Sequence, residues 1–241
     1  AGGNALCLAR QGELIKQNAE DYFAIGGKCS IFSASLNKYS TYYPAIYATE
    51  GTIANALREK FSDFKVGLMC IDECHEVEFN NVLCCIDATK QGKDIYSAAD
   101  ENGKPLYCQY AIIIAHFLKI NPKMRIMGYS GSPFRGSNEI VDPTGRGFWK
   151  KTLTKVDTYF LVGLGYLVPP VFGFGGEHYD TSKFTMNAEG ESGDLSSKDL
   201  QKMQKEVTRD EQLTAAIVEE FVSRTQDRLS VLITCAGQKH C

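Results

Sequence analysis

The chain lacks any apolar run near the ~20 residues that span a bilayer. Its longest, at residues 66–71 and 111–115, have the length of a strand or the core of a helix. No basic-then-apolar leader with a small-residue cleavage site opens it, so secretion has no support; a cytoplasmic protein with no membrane partner is expected. It also lacks a dominant charge, with 26 Lys and Arg against 29 Asp and Glu for a net −3. That excludes a bulk polycation, and a nucleic-acid partner would have to be held by a local groove rather than by a global field. Among nine cysteines no two have C-x₂-C spacing. Cys70, Cys74, Cys84, Cys85 and Cys108 do crowd together along the chain, with His75 beside Cys74, so a zinc-binding structural domain stays in view as one reading. Cys70, however, falls in an apolar run where cysteine behaves as a small hydrophobe, and ordinary reduced, mostly buried thiols are the favoured reading. A disulfide framework does not suit a chain of this size and expected compartment. An initiating Met is missing as well: Ala1-Gly2-Gly3-Asn4 leads straight into an apolar run, and Gln238-Lys239-His240-Cys241 follows another. Both ends read as cut from a longer protein.

What is present is globular in kind, with 44% hydrophobic and 23% charged residues. Residues 5–9, 29–34, 45–48, 66–71 and 124–129 have the length and composition of strands. Helical spacing is found after the first of these (Leu14, Ile15, Asn18, Tyr22), over residues 49–61 (Ile53, Leu57, Phe61) and over 107–120 (Tyr107, Ala111, Ile114, Leu118). Strands and helices alternating at this length predict an α/β protein with a parallel sheet. The run at 66–71 reads as a strand buried on both faces, and residues 87–105 as a polar surface insertion. From 136 to 180 Gly, Pro and aromatic residues dominate. Thr208-Arg209-Asp210-Glu211 has the form of a capping box with Thr208 as N-cap, opening a helix that carries Leu213, Ala216, Ile217 and Phe221. A fresh strand is expected at 229–234.

The strongest chemical feature is Cys70-Ile71-Asp72-Glu73-Cys74-His75-Glu76. Ligands of open α/β sheets bind beyond the carboxyl ends of the strands. An Asp there can hold Mg²⁺, usually through water, and so organise nucleotide phosphates. The Glu beside it can act as general base on an attacking water. Two adjacent acids repel and resist burial, and a bound cation is a natural reason to keep them. Asp-Glu alone would be read as an acidic turn after a strand. The full string resembles the DEAD/DEAH box, motif II, of superfamily 2 DNA and RNA helicases, in its DECH variant.

That resemblance extends along the chain. Gly128-Tyr129-Ser130-Gly131-Ser132-Pro133-Phe134-Arg135 is similar to the family's motif III, with Ser130 and Ser132 where threonines are usual and Gly131 in place of alanine. Residues 6–18, with Arg10 and Gln11, are similar to motif Ia, and Thr49-Glu50-Gly51-Thr52-Ile53 to the segment called Ib; both are strand-to-helix turns that lie near the nucleic-acid backbone. A helix N-terminus in such a turn offers amide donors and a positive dipole to phosphate. Gly165-Tyr166-Leu167-Val168-Pro169-Pro170 resembles a linker of RadD-like superfamily 2 helicases, and residues 232–240 the start of motif IV.

The resemblance implies a RecA-like domain of the P-loop NTPase class over residues 1–160, a linker or insert over 161–208, and the opening of a second RecA-like domain over 209–241. It further implies ATP and Mg²⁺ as cofactors and DNA as partner, with RNA still possible. Asp72, Glu73 and His75 would be catalytic, with Asp72 also holding Mg²⁺ through water. Ser130, Ser132 and Arg135 would couple the nucleotide to the nucleic acid, which Arg10, Gln11, Thr49, Gly51 and Thr52 would bind. The departures matter too. No G-x-x-x-x-G-K-[ST] phosphate loop occurs, and motifs V and VI with their arginine finger are not found. The isolated 241 residues are therefore expected not to hydrolyse ATP. A non-catalytic nucleic-acid-binding remnant and a restriction-system or phage translocase of the same superfamily stand as alternatives. Gly145-Arg146-Gly147-Phe148-Trp149-Lys150-Lys151 is open to two readings, a base-stacking basic patch or a loop with its Trp packed down. His116, on an apolar helix, reads as a packed core residue.

Overall fold

Strand β1 (Asn4–Ala9) lies at the middle of the sheet because it is apolar on both sides of its pleat, with Leu6 and Leu8 on one face and Cys7 and Ala9 on the other. A computed structural model describes residues 3–135, 138–142, 144, 147–169, 176–180, 197–227, 230, 233 and 235. The chain forms two units, residues 1–152 and 153–241.

In the first unit six strands pair in the order β3-β2-β4-β1-β5-β6. Strands β2 (Cys29–Ser33), β4 (Ala45–Thr49), β1, β5 (Val66–Ile71) and β6 (Arg125–Gly128) run parallel, and the two-residue β3 (Lys38–Tyr39) turns back against β2. The crossover helices that parallel pairing requires are α1 (Gly12–Ala24), α2 (Glu50–Ala56), α3 (Phe79–Lys90) and α4 (Gln109–Ile120). The α/β class read from the alternation of elements is thus the observed one.

One sheet face packs on α2, α3 and α4 around Leu6, Leu8, Ile46, Met69, Ile71, Ile113, Ile114 and Phe117, all almost wholly buried. The other packs on α1 through Ala9, Ile15, Ala19, Cys29 and Ile31. β5 is not buried evenly on both faces as its composition suggests. Val66, Met69 and Ile71 are buried, whereas Leu68 and Cys70 are only half-buried, because α1 is centred on the β2–β4 side of its face.

Buried polar groups in this unit fix elements to one another. His116 Nε2 lies 2.8 Å from the Phe61 carbonyl oxygen and its Nδ1 2.6 Å from the Tyr96 hydroxyl. A carbonyl only accepts, so Nε2 carries the proton and Nδ1 accepts from Tyr96. Asn81, on α3, accepts the Cys108 amide at 2.7 Å and donates to the Leu106 carbonyl at 2.9 Å, which sets the start of α4.

Several expectations are corrected. The helix of residues 49–61 is regular only over Glu50–Ala56; Leu57 and Phe61 are fully buried but reach the core from turns. The polar stretch from residue 87 includes the end of α3, whose buried stripe of Val82, Cys85 and Ala88 is interrupted by too many polar residues to stand out. Trp149 is buried and packs edge-on to Phe148 at 5.0 Å, so the packed-down reading holds for it.

The second unit contains α5 (Thr158–Gly163), α6 (Ser197–Arg209) and α7 (Glu211–Arg224). Gly165, at φ +76°, follows α5 and lets the Tyr166 amide turn back to the Leu161 carbonyl. Thr208 is not an N-cap. It lies inside α6, where its hydroxyl donates to the Gln204 carbonyl, and the cap of α7 is Asp210, which accepts the Leu213 amide at 3.0 Å. Asp outcompetes Thr as an N-cap, so the cap shifts by two residues, and with Leu213 at the third helical position no capping box forms. The strand expected at 229–234 and the motif IV-like stretch after it lie outside the described residues, apart from Ser230, Ile233 and Cys235.

Candidate functional site

β5 ends at Ile71 and hands two acids to the carboxyl edge of the sheet. The Asp72 amide still donates to the Leu8 carbonyl at 2.9 Å, so Asp72 is held as one more rung of the ladder. Its Oδ1 accepts the Glu73 amide at 3.0 Å. Glu73 then takes a left-handed conformation, φ +48°, uncommon for any residue but glycine. This bend turns the chain into a 3-10 turn over Cys74–Glu76 and leaves the Glu73 side chain half-exposed.

The loop after β6 is bound to this turn. The Tyr129 amide donates to Ile71 and the Cys74 amide to Tyr129, both at 2.9 Å. Gly128 permits the approach: a Cβ there would lie 2.5 Å from Cys74 Sγ and 2.8 Å from the Trp149 ring. Ser130 Oγ accepts the Ser132 amide at 3.1 Å and gives its own proton to the Ser132 carbonyl at 2.9 Å. It therefore meets His75 Nδ1, 2.8 Å away, as an acceptor. His75 Nδ1 is the donor, with Glu73 Oε2 at 3.3 Å as a second acceptor, and its Nε2 faces Glu76 Oε1 at 3.6 Å.

Arg10 links the acid turn to the next strand end. Its Nη1 donates to Glu76 Oε2 at 3.0 Å, and its Nε lies 3.5 Å from Glu50 Oε1 at the start of α2. The other Glu50 oxygen and the Tyr110 hydroxyl are buried without a hydrogen-bond partner of good geometry among the described residues. Burial, with the nearby Glu50 carboxylate, pushes the Tyr110 phenol well up. Beside this pair, Thr49 Oγ1 donates to Ser33 Oγ at 3.2 Å and lies 2.7 Å from Thr52 Oγ1, which accepts the Ala34 amide at 3.0 Å.

Two cavities border the carboxyl edge. One of about 630 Å³ is lined by Asp72, Tyr129, Tyr47, Asp21, Cys7 and Cys70. The other, about 660 Å³, is lined by Arg10, Thr49, Glu50, Gly51 and Thr52 with Gln109. In the first, the hydrogen bond between Cys7 and Cys70, with burial, pushes the Cys7 thiol well up, and the same bond lowers that of Cys70.

Of the residues singled out from sequence, Asp72, Glu73, His75 and Ser130 form one cluster with Ser132 bonded to it. Arg10, Thr49, Gly51 and Thr52 line the second cavity. Gln11 is the exposed N-cap position of α1 and makes no cap bond. Arg135 pairs with Asn138 through the backbone of a two-residue hairpin, β7 (Phe134–Arg135) with β8 (Asn138–Glu139). Glu76, Glu50 and Gly128 went unremarked as site residues. Glu76 closes the string that was read, but a further acid in a polar turn carries no spacing signal. Among the described residues no group of three or more His, Cys, Asp or Glu could hold a metal ion; the first cavity offers the Asp72 and Asp21 carboxylates. No family model matches the chain, and no curated protein matches it.

Proposed function

We propose that the first unit is the RecA-like motor domain of a superfamily 2 DNA helicase or translocase, of the RadD-like kind, and that its acid turn is the ATP-hydrolysis site. The observation that carries this reading is Asp72 and Glu73 at the carboxyl end of an interior parallel strand, with His75 bonded across to Ser130 in the next strand's loop. In this reading Asp72 holds the ion through water. Mg²⁺ keeps most of its water shell and needs only one or two carboxylates, so a half-buried Asp at the wall of a cavity would suit it. ATP with Mg²⁺ supplies the phosphoryl group and the charge that neutralises it.

The chain's own residues do the rest. Glu73 leaves the turn half-exposed and unpaired with any Lys or Arg among the described residues, able to take a proton from water. Its left-handed backbone is held by the Asp72 carboxylate and by the ladder on either side, as expected where strain serves a site. His75 and Ser130 transmit a change at Glu73 to the loop after β6. Arg10, Thr49 and Thr52, at the rim of the second cavity, meet the phosphates of the nucleic acid. The second unit is read as a linker and the opening of a second RecA-like domain, against which the first would move.

A Glu73→Gln variant in the product of the complete reading frame tests this. DNA-stimulated ATP turnover is expected to vanish while ATP binding persists; undiminished turnover overturns the reading. The ion pairs that already occupy Arg10, together with the lack of a phosphate loop in these 241 residues, favour one second reading. It is a non-catalytic nucleic-acid-binding remnant, distinguished by DNA binding without ATP turnover in the wild-type protein.

A further inference from the structure

The sheet face turned toward α1 carries one row of side chains at a common register: Ile31, Tyr47, Cys7, Cys70 and Met127 on β2, β4, β1, β5 and β6. Cys7 and Cys70 are direct partners on adjacent parallel strands, so both thiols leave the same face side by side. Both are half-buried, and both line the 630 Å³ cavity that Asp72 and Tyr129 also border. The nucleotide chemistry proposed above uses neither. We propose that Cys7 and Cys70 form a two-thiolate site for a soft, thiophilic ion of low coordination number, reached through this cavity.

The spacing selects the ligand. Adjacent strands lie about 4.8 Å apart. Two thiolates each about 2.3 Å from one ion sit roughly 3.8 Å apart at a tetrahedral angle and about 4.6 Å apart when the ion is two-coordinate and linear. Small side-chain rotations close that difference. A disulfide asks for sulfurs about 2.05 Å apart and Cβ atoms near 3.8 Å, closer than side chains that stand parallel on strands about 4.8 Å apart, and both cysteines are free thiols. The number of donors selects it again. A structural zinc site takes four protein ligands, and among the described residues no group of three is available. Soft ions satisfied by two sulfurs, such as Cu(I) or trivalent arsenic bearing one organic group, remain.

The other cysteines of the unit do not offer the same pair. Cys29 is buried two strands away, Cys74 is buried against Gly128, Cys84 is exposed on α3, and Cys85 is buried with the half-buried Cys108 near it; none of these lines the cavity. With an organoarsenic(III) oxide the step is balanced without any redox change. Two S–H bonds break and two As–S bonds form, and the two protons leave with the oxo oxygen as water.

The test uses the whole chain and phenylarsine oxide as probe, followed by washing with excess monothiol, alkylation with N-ethylmaleimide and peptide mass mapping. One adduct per chain is expected, with Cys7 and Cys70 protected together and Cys84 alkylated. In Cys7→Ser and in Cys70→Ser the adduct should be lost on washing, because a single thiolate cannot hold arsenic against a competing thiol. Alkylation of Cys7 and Cys70 in the arsenical-treated wild-type chain overturns the site, as does protection confined to Cys84, Cys85 or Cys108. The mapping on wild-type protein decides the matter even if the serine variants fail to fold.

Discussion

His75 Nδ1 lies 2.8 Å from Ser130 Oγ across a sequence separation of 55 residues. The serine's own proton is given to the Ser132 carbonyl, so the histidine donates and the loop after β6 reads the position of the acid turn directly. Ser130→Ala removes the acceptor and leaves the His75 proton to Glu73 alone. A loss of about 0.5–1.5 kcal/mol is expected for one such bond, measured as a lower urea midpoint. If the acid turn hydrolyses ATP as proposed, stimulation of that turnover by DNA should be lost in Ser130→Ala and restored in Ser130→Thr. Stimulation that survives Ser130→Ala would remove His75 and Ser130 from the coupling path.

Gly128 holds the two loops together by having no side chain. An added Cβ would lie 2.5 Å from Cys74 Sγ and 2.6 Å from its Cβ, with the Trp149 ring on the other side. Neither neighbour is a flexible chain end, so β6 must shift. Gly128→Ala is expected to destabilise the first unit by about 1–3 kcal/mol, the range for overpacking a filled interior. The same shift should lengthen the His75–Ser130 bond, visible as a changed imidazole proton resonance. An unchanged urea midpoint would show that the loops yield more freely than their packing implies.

The sheet was legible because its strands are short apolar runs and its helices carry a regular stripe, as residues 66–71 and 107–120 show. What was lost depends on tertiary context. α3 hides its stripe of Val82, Cys85 and Ala88 between Asn80, Asn81, Cys84 and Asp87, and only the pairing of Asn81 with Leu106 and Cys108 explains its place. Within the site, the acids and the histidine were legible from their spacing. Arg10 was read as a phosphate contact, and its pairing with Glu50 and Glu76 depends on the β4-β1-β5 order, which local sequence does not encode. The row of Cys7 and Cys70 depends on register between strands 63 positions apart, and no spacing rule reaches that far.

His116 makes the first unit sensitive to mild acid. Burial lowers its pKa from the usual value near 6.5, because the neutral ring fits the Phe61 carbonyl and Tyr96 hydroxyl while a charged ring would be desolvated. The unfolded chain then binds the proton more readily than the folded one. The stability this contributes is complete above about pH 6.5 and is lost as pH falls below it toward the folded-state pKa. The urea midpoint should decline between pH 7.5 and 5.5, and His116→Gln, which cannot titrate, should flatten that decline from a lower starting value. An acid decline of equal steepness in the variant would assign it to other groups.

Arg10 is 55% exposed and paired with Glu76, so removing that partner should change binding more than stability. Exposed ion pairs contribute about 0–1 kcal/mol, and Glu76→Gln is expected to leave the urea midpoint nearly unchanged. What it frees is a guanidinium at the rim of the Thr49–Thr52 cavity, 3.5 Å from the remaining Glu50 carboxylate. If that rim meets phosphate, affinity for a short single-stranded DNA should rise, and the slope of log K against log salt should steepen by about one contact's worth. Arg10→Ala should do the reverse, weakening binding across sequences alike and flattening the slope. Fluorescence anisotropy at several salt concentrations reads both quantities at once. Equal affinities and slopes for wild type, Glu76→Gln and Arg10→Ala would mean that Arg10 only fastens the acid turn to α2, and that the nucleic acid, if bound, passes elsewhere.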